Sequence, residues 1–273
     1  MESGILYIAL GGPYLEEARR SAESVKASNP GLPIAIITDQ PMAPDGTFDV
    51  VLEHEAYQPS GDERYLARDR GAYFVKILPL LRSPFEKTVF LDTDTWVAGS
   101  LAPVFDLLDR FEVLVTPCHI THDYAFEIKE EPFRSIPEAF GYFNTGFFAF
   151  RKSEGGEALI REWQRLYEME VSKFTVNDQP ALRLALFQGE VSFHVIPPWY
   201  NTISWAPFIV PGGGRAVMLH GRNPWLQKWA HHFQAPKPAI IGSLNLKLFA
   251  RFHAARMLYL IQRSAAKWFK RPG

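Results

Sequence analysis

The chain has 273 residues, 47% of them apolar, enough for one large domain or two small ones whose core needs no cross-links. Its single cysteine, Cys118, excludes an intramolecular disulfide and favours a reducing compartment. The formal net charge is −1, yet residues 191–273 hold eleven Lys and Arg and no Asp or Glu, so an acidic partner is expected for the C-terminal part: substrate phosphates or anionic lipid, with nucleic acid disfavoured because no recognised binding motif accompanies the charge.

Ile5 to Leu10 reads as a buried strand ending in a turn at Gly11-Gly12. The run is too short for a signal-peptide core or a bilayer span, so a cytoplasmic protein is expected. Pro13 to Ala27 carries Leu15, Ala18, Ala22 and Val25 at helical spacing, and Asn29-Pro30-Gly31 stops that helix. A second strand, Ile34 to Thr38, ends on Asp39. Strand, helix and strand with short joins open a parallel α/β sheet. The pattern then predicts a helix over Ala72 to Leu81 and strands over Thr88 to Leu91, Glu112 to Thr116 and Gly146 to Phe150. Residues 117–142 lack a clean period and read as a surface loop with short helical turns. Helices are expected over Glu157 to Met169 and Asp178 to Phe187, with Pro180 tolerated in the first turn and Asp178 as the N-cap. Late strands follow at Val191 to Ile196 and Ala216 to Leu219.

Pro236-Lys237-Pro238 marks a break, dividing a main domain, 1–235, from a basic helical tail, 236–273. In the tail Arg256, Arg263, Lys267 and Lys270 share one helical face, and Met257, Ile261, Ala265 and Trp268 lie roughly opposite. Such a helix suits peripheral association with an anionic membrane on its inner face, or packing against the main domain with a solvated basic side.

The apolar strand Thr88–Leu91 delivers Asp92-Thr93-Asp94 to the carboxyl end of the sheet, where open α/β folds bind ligands. One intervening residue lets both carboxylates reach one cation. Oxygen donors suit Mn²⁺ or Mg²⁺, which keep positions for substrate phosphates. Asp-x-Asp alone is also an ordinary polar strand end. His119-Ile120-Thr121-His122-Asp123 lacks zinc-site spacing and reads as an acceptor-facing loop.

Lys76-Ile77 followed by Lys87-Thr88-Val89-Phe90-Leu91-Asp92-Thr93-Asp94-Thr95-Trp96-Val97 resembles the metal-binding segment of family-eight glycosyltransferases, the glycogenin and bacterial lipooligosaccharide galactosyltransferase relatives with the GT-A fold. Phe143-Asn144-Thr145-Gly146, Asn177-Asp178-Gln179-Pro180, Trp199-Tyr200-Asn201 and His220-Gly221-Arg222-Asn223-Pro224-Trp225 resemble that family's later blocks in order, over roughly residues 4–226. Two departures are Thr93, where the family often has alanine or serine, and a compressed closing block with Arg222 in place of a later lysine.

The resemblance implies a Rossmann-like, mostly parallel sheet flanked by helices. It also implies transfer of a hexose from a nucleotide-diphosphate sugar, a UDP-sugar by preference, to a hydroxyl of a glycan or glycolipid, with retention. Asp92, Asp94 and His220 would be metal ligands, Thr93 would line the same loop, and Lys76 and Arg222 would face the diphosphate. Ala9, Leu10, Gly11 and Asp39 would hold base and ribose, and Asn144, Asp178 and Gln179 the sugar and acceptor. Gln179 is a weak nucleophile and is not assigned covalent catalysis. Competing readings are a non-catalytic sugar-nucleotide or membrane scaffold of the same fold, and a sugar nucleotidyltransferase. The latter would want a Gly-rich basic loop that Gly11-Gly12-Pro13-Tyr14 does not supply.

Overall fold

A computed structural model describes residues 1–55, 76–118, 128–171, 177–203 and 216–222, with Ala254 and Met257. The segment 119–123 and nearly all of the tail 236–273 lie outside the described residues.

Strand β1 (Ser3–Ala9) has Leu6 facing one apolar layer and Ile5 and Tyr7 facing the other, the period-two alternation of a strand buried on both sides. Gly11, at φ 85°, turns the chain into helix α1 (Gly12–Ser28), a backbone state that favours glycine. The buried face of α1 is small (Ala18, Ser21, Ala22, Ser24), so it packs close to the sheet. Asn29 ends it, and its side chain accepts from Leu101 N at 2.7 Å and donates to Gly99 O at 3.1 Å.

Strands β2 (Ile34–Thr38) and β3 (Val50–Glu53) pair parallel on one side of β1. The chain then crosses to the other side as β4 (Lys87–Leu91), also parallel to β1. Next come β5 (Thr95–Val97), the short helix α2 (Ala102–Leu107), β6 (Val113–Pro117), β7 (Phe143–Arg151), helices α3 (Glu154–Leu166) and α4 (Gln179–Gln188), and β8 (Phe193–Val195). The main sheet runs β3-β2-β1-β4-β7-β6-β8 and is parallel except for β7, which is antiparallel to both neighbours. A small second sheet, β5-β10-β9, is completed by β9 (Thr202–Ile203) and β10 (Met218–His220).

Phe90, Phe148, Phe150, Trp163 and Leu182 belong to the apolar layer under α3 and α4, and Ile36, Leu91, Val104 and Phe147 to the opposite one. The expected α/β class and mostly parallel sheet are therefore observed. Three details differ. The helix expected to Leu81 tightens at Leu78–Arg82 into a 3₁₀ turn with Pro79, which has no N–H to give, in its first turn. β3, β5 and α2 are too short to show a period in the sequence. Asp178 stands at the N-cap of α4 but its side chain does not cap; Asn177 Oδ1 instead accepts from Gln179 N at 2.9 Å.

Candidate active site

The topology has one switch point, between β1 and β4, where the chain leaves β1 for β2 on one side and returns as β4 on the other. Loops diverge there and leave a crevice beyond the carboxyl ends. Gly11 and Asp39 stand on one side of it and Asp92-Thr93-Asp94 on the other. The Gly11 amide donates to Asp39 Oδ1 at 2.7 Å, and with the Gln40 amide this holds the Asp39 carboxyl below its usual range. Ala9, the last residue of β1, is fully buried, and Leu10 leads into this turn.

His220 arrives from far away in sequence. β10 runs antiparallel to β5 with His220 opposite Thr95, and Gly221 N donates to Asp94 O at 2.8 Å. His220 Nε2 thereby lies 3.3 Å from Asp94 Oδ1 and 3.7 Å from Asp92 Oδ2. One ligand atom each from Asp92, Asp94 and His220 falls within 4.8 Å of the others. Burial works to raise the Asp94 carboxyl, but the His220 ring and the Arg222 guanidinium outweigh it and hold the group at about 2. Enclosure pushes Asp92 up, against the opposing pull of Lys76 and His220. Burial would lower His220, but the two carboxylates raise it. Two carboxylates and an imidazole converging with their donor atoms together are a donor set that fits Mn²⁺ or Mg²⁺.

Beside this cluster lies a second charged group. Lys76 Nζ sits 3.6 Å from Asp92 Oδ1 and 3.0 Å from Asp178 Oδ2, and donates to Thr145 Oγ1 at 3.3 Å. Thr145 Oγ1 in turn donates to Asp178 Oδ1 at 2.8 Å. Trp163 of α3 fixes the start of α4 by donating its indole N–H to Asp178 O at 3.1 Å. Gln179 Oε1 is buried with no hydrogen-bond partner among the described residues, an acceptor at the head of α4.

Thr145 reaches this position because β7 departs from regular pairing. Val115 of β6 faces Phe148, but the next residue, Thr116, faces Asn144, so Thr145, Gly146 and Phe147 bulge out of the ladder with β6, while Phe147 stays paired with Leu91 of β4. Bulges of this kind re-aim side chains beside functional sites. Gly146 within it is required by space: a Cβ there would lie 2.2 Å from His220 Cε1.

The structure thus brings together Lys76, Asp92, Asp94, Asn144, Asp178 and His220, with Gln179 next to Asp178. It turns Thr93 away, to donate to Glu17 Oε2 at 3.0 Å. Arg222 also goes to Glu17, with Nε 2.9 Å from Oε1, and its guanidinium lies 5.3 Å from the Tyr14 ring centroid. Asn144 has its Oδ1 occupied by Gly146 N at 2.9 Å and Asn201 Nδ2 at 2.7 Å. Sequence reasoning gave no role to Glu17, Thr145 or Asn201. The last two sit inside recognisable blocks, whereas nothing in the helical pattern distinguishes Glu17.

This architecture is the GT-A fold of nucleotide-sugar glycosyltransferases. The galactosyltransferase LgtC, in the form of an active-site mutant, superposes with a TM-score of 0.54 over 85% of this chain and 94% of its own, at 15% identity. Mouse xyloside xylosyltransferase 1 gives 0.54 over 81% and 98%, at 15% identity. The glycosyltransferase GlyE of Streptococcus pneumoniae TIGR4 gives 0.55 over 88% and 63%, at 17% identity. No protein-family model and no curated protein matches the sequence. Among the described residues no helix is long and apolar enough to cross a membrane.

Proposed function

We propose that the chain is a metal-dependent glycosyltransferase moving a hexose from a UDP-sugar to a hydroxyl of a glycan or glycolipid. The observation that carries this reading is the Asp92–Asp94–His220 cluster at the β1/β4 switch point, with Lys76 and Asp178 beside it. LgtC, whose fold this chain has, is a galactosyltransferase known in complex with donor and acceptor sugar analogues.

Cleavage of the sugar–phosphate bond leaves negative charge on the diphosphate, and Mn²⁺ or Mg²⁺ held by Asp92, Asp94 and His220 supplies Lewis-acid stabilisation of that charge. Lys76 adds a fixed positive charge on the same side of the crevice. Arg222 does the same from the β10 side on leaving Glu17. Asp39 and the Gly11 turn, at the ends of β2 and β1, face the base and ribose. Gln179, with its buried oxygen, accepts a hydroxyl of the transferred sugar. An amide attacks poorly, so the leaving phosphate, rather than a protein nucleophile, assists the incoming hydroxyl, and configuration is retained. The basic tail, 236–273, associates with anionic membrane and brings a glycolipid acceptor within reach; truncation after Ala235 should abolish sedimentation with anionic vesicles.

The test is release of UDP from a panel of UDP-sugars in the presence of Mn²⁺. Release should vanish on chelation and fall by two orders of magnitude or more in Asp94→Ala, the scale seen when a fixed stabiliser of developing charge is removed. Undiminished release by Asp94→Ala would sink the metal site, and pyrophosphate in place of UDP would identify a nucleotidyltransferase.

A further inference from the structure

Which ring nitrogen of His220 carries the proton can be worked out from a single backbone amide. The Gly146 N–H can only donate, and it donates to Asn144 Oδ1 at 2.9 Å. The opposite orientation of the Asn144 amide would set its NH₂ group against that N–H, donor against donor. Asn144 Oδ1 is therefore an acceptor. Asn201, 1% exposed, meets the same oxygen at 2.7 Å, so the group it presents must be its Nδ2. The other Nδ2 proton goes to Thr116 Oγ1 at 3.0 Å. With both donors committed, Asn201 Oδ1 faces His220 Nδ1 at 3.0 Å, and an oxygen without a hydrogen must accept.

We infer that Gly146, Asn144 and Asn201 form a relay that fixes the proton of neutral His220 on Nδ1 and leaves Nε2 bare towards Asp92 and Asp94. Asn144 and Asn201 are thus positioning residues. This goes beyond the ligand set itself and rests on the donor-site reading only for the identity of the cation.

The consequence is chemical. A bare Nε2 lone pair 3.3 Å from Asp94 Oδ1 and 3.7 Å from Asp92 Oδ2 confronts two anions. A positive species between them satisfies all three: either a metal ion, or a second ring proton, on Nε2, that makes an imidazolium paired with the carboxylates. The Nδ1–H tautomer is therefore the one that leaves Nε2 available to a cation. The opposite tautomer would donate Nε2–H to Asp94 and close the site with an internal hydrogen bond. It would also set the Nδ1 lone pair against Asn201 Oδ1, acceptor against acceptor, and turning the Asn201 amide to relieve this would set its oxygen against Asn144 Oδ1 instead. Partners behind a ligating histidine fix its ring orientation and tautomer in this way, and their removal typically lowers metal affinity about 10–100-fold. Gly146 serves twice, giving the N–H that starts the relay and leaving the space His220 needs.

The test begins with the wild-type protein, free of cation and nucleotide, at alkaline pH where the ring is neutral. Long-range ¹H–¹⁵N spectra of the His220 imidazole should show the proton on Nδ1; a proton on Nε2 overturns the inference without reference to any substrate. Titration of Mn²⁺ alone, followed by calorimetry, should then show affinity about 10–100-fold weaker in Asn201→Ala. Asn201→Asp cuts the link to Asn144 Oδ1 but keeps an acceptor for Nδ1–H, so it should retain the wild-type tautomer; loss of that tautomer would show that an oxygen facing Nδ1 does not fix the proton and would also overturn the inference. If Asn201→Ala fails to fold, the wild-type spectrum and the Asp variant decide. Failure of the protein to turn over any UDP-sugar would count against the proposed function and leave the tautomer result standing.

Discussion

Replacing Gly146 with alanine tests the geometry on which the candidate site depends. The added Cβ would lie 2.2 Å from His220 Cε1, 2.7 Å from Nδ1 and 2.8 Å from Nε2. Carbon atoms rest at about 3.5–4.0 Å, so the ring must retreat by about 1.3–1.8 Å. The strand cannot give way, because Asp92 N donates to Gly146 O at 3.0 Å, and the β10 backbone is held by its pairing with β5 and by Gly221 N on Asp94 O. The ring therefore swings out of line with the two carboxylates. Metal ligands tolerate about 0.2 Å of misplacement, so the cation loses its imidazole. Mn²⁺ affinity should fall at least about 10-fold, the lower end of what disturbing a ligand's support alone does. Overpacking should cost a further ~1–3 kcal/mol of stability, which thermal melting in chelator measures separately. A folded Gly146→Ala protein that binds Mn²⁺ as wild type does would refute the reasoning, because the ring would then have found room the structure does not show.

Three further expectations concern stability. Gly4→Ala places a Cβ 2.4 Å from the buried Phe85 ring, so unfolding in urea should show a loss of ~1–3 kcal/mol with no change in Mn²⁺ affinity. Ser153 caps α3 by accepting from Gly156 N at 3.2 Å and donates to Glu112 Oε1 at 2.7 Å, so Ser153→Ala should cost ~1 kcal/mol by the same assay. Glu112 is held below its ordinary value of 4.5 by the hydroxyl of Ser153 and the amide of Ser192. A depressed carboxylate stabilises above its unfolded value and loses that contribution as pH falls through the folded one. Glu112→Gln should therefore melt below wild type at neutral pH, and the gap should narrow as pH drops below about 4.5; a gap that widens there would reverse the assignment.

The legible part of the site was the part delivered by local chain. Thr88–Leu91 is apolar and ends at two aspartates, so its direction alone put Asp92 and Asp94 at the carboxyl edge of the sheet. Lys76, Asp178 and His220 could be named only because their surrounding blocks resemble a known family. Their partners could not. Asp178 reads as a helix cap, yet Lys76 and Thr145 claim its carboxylate. Arg222 reads as a diphosphate contact and Thr93 as part of the aspartate loop, and nothing in the linear pattern foretells that both also bind Glu17.

Sequence by itself determined the alternation of strands and helices, the turn at Gly11, the place of the aspartates and the charge asymmetry of the C-terminal part, because hydrophobic period and backbone stereochemistry act over a few residues. Tertiary structure alone decided that β7 runs against its neighbours and bulges at Thr145–Phe147, and that β10 docks on β5 so that His220 meets Asp94. It alone decided that a backbone N–H at Gly146 governs a histidine 74 positions further along the chain. Those outcomes depend on pairing register and on side-chain polar groups finding complementary partners once buried, and neither has a signature in the linear pattern.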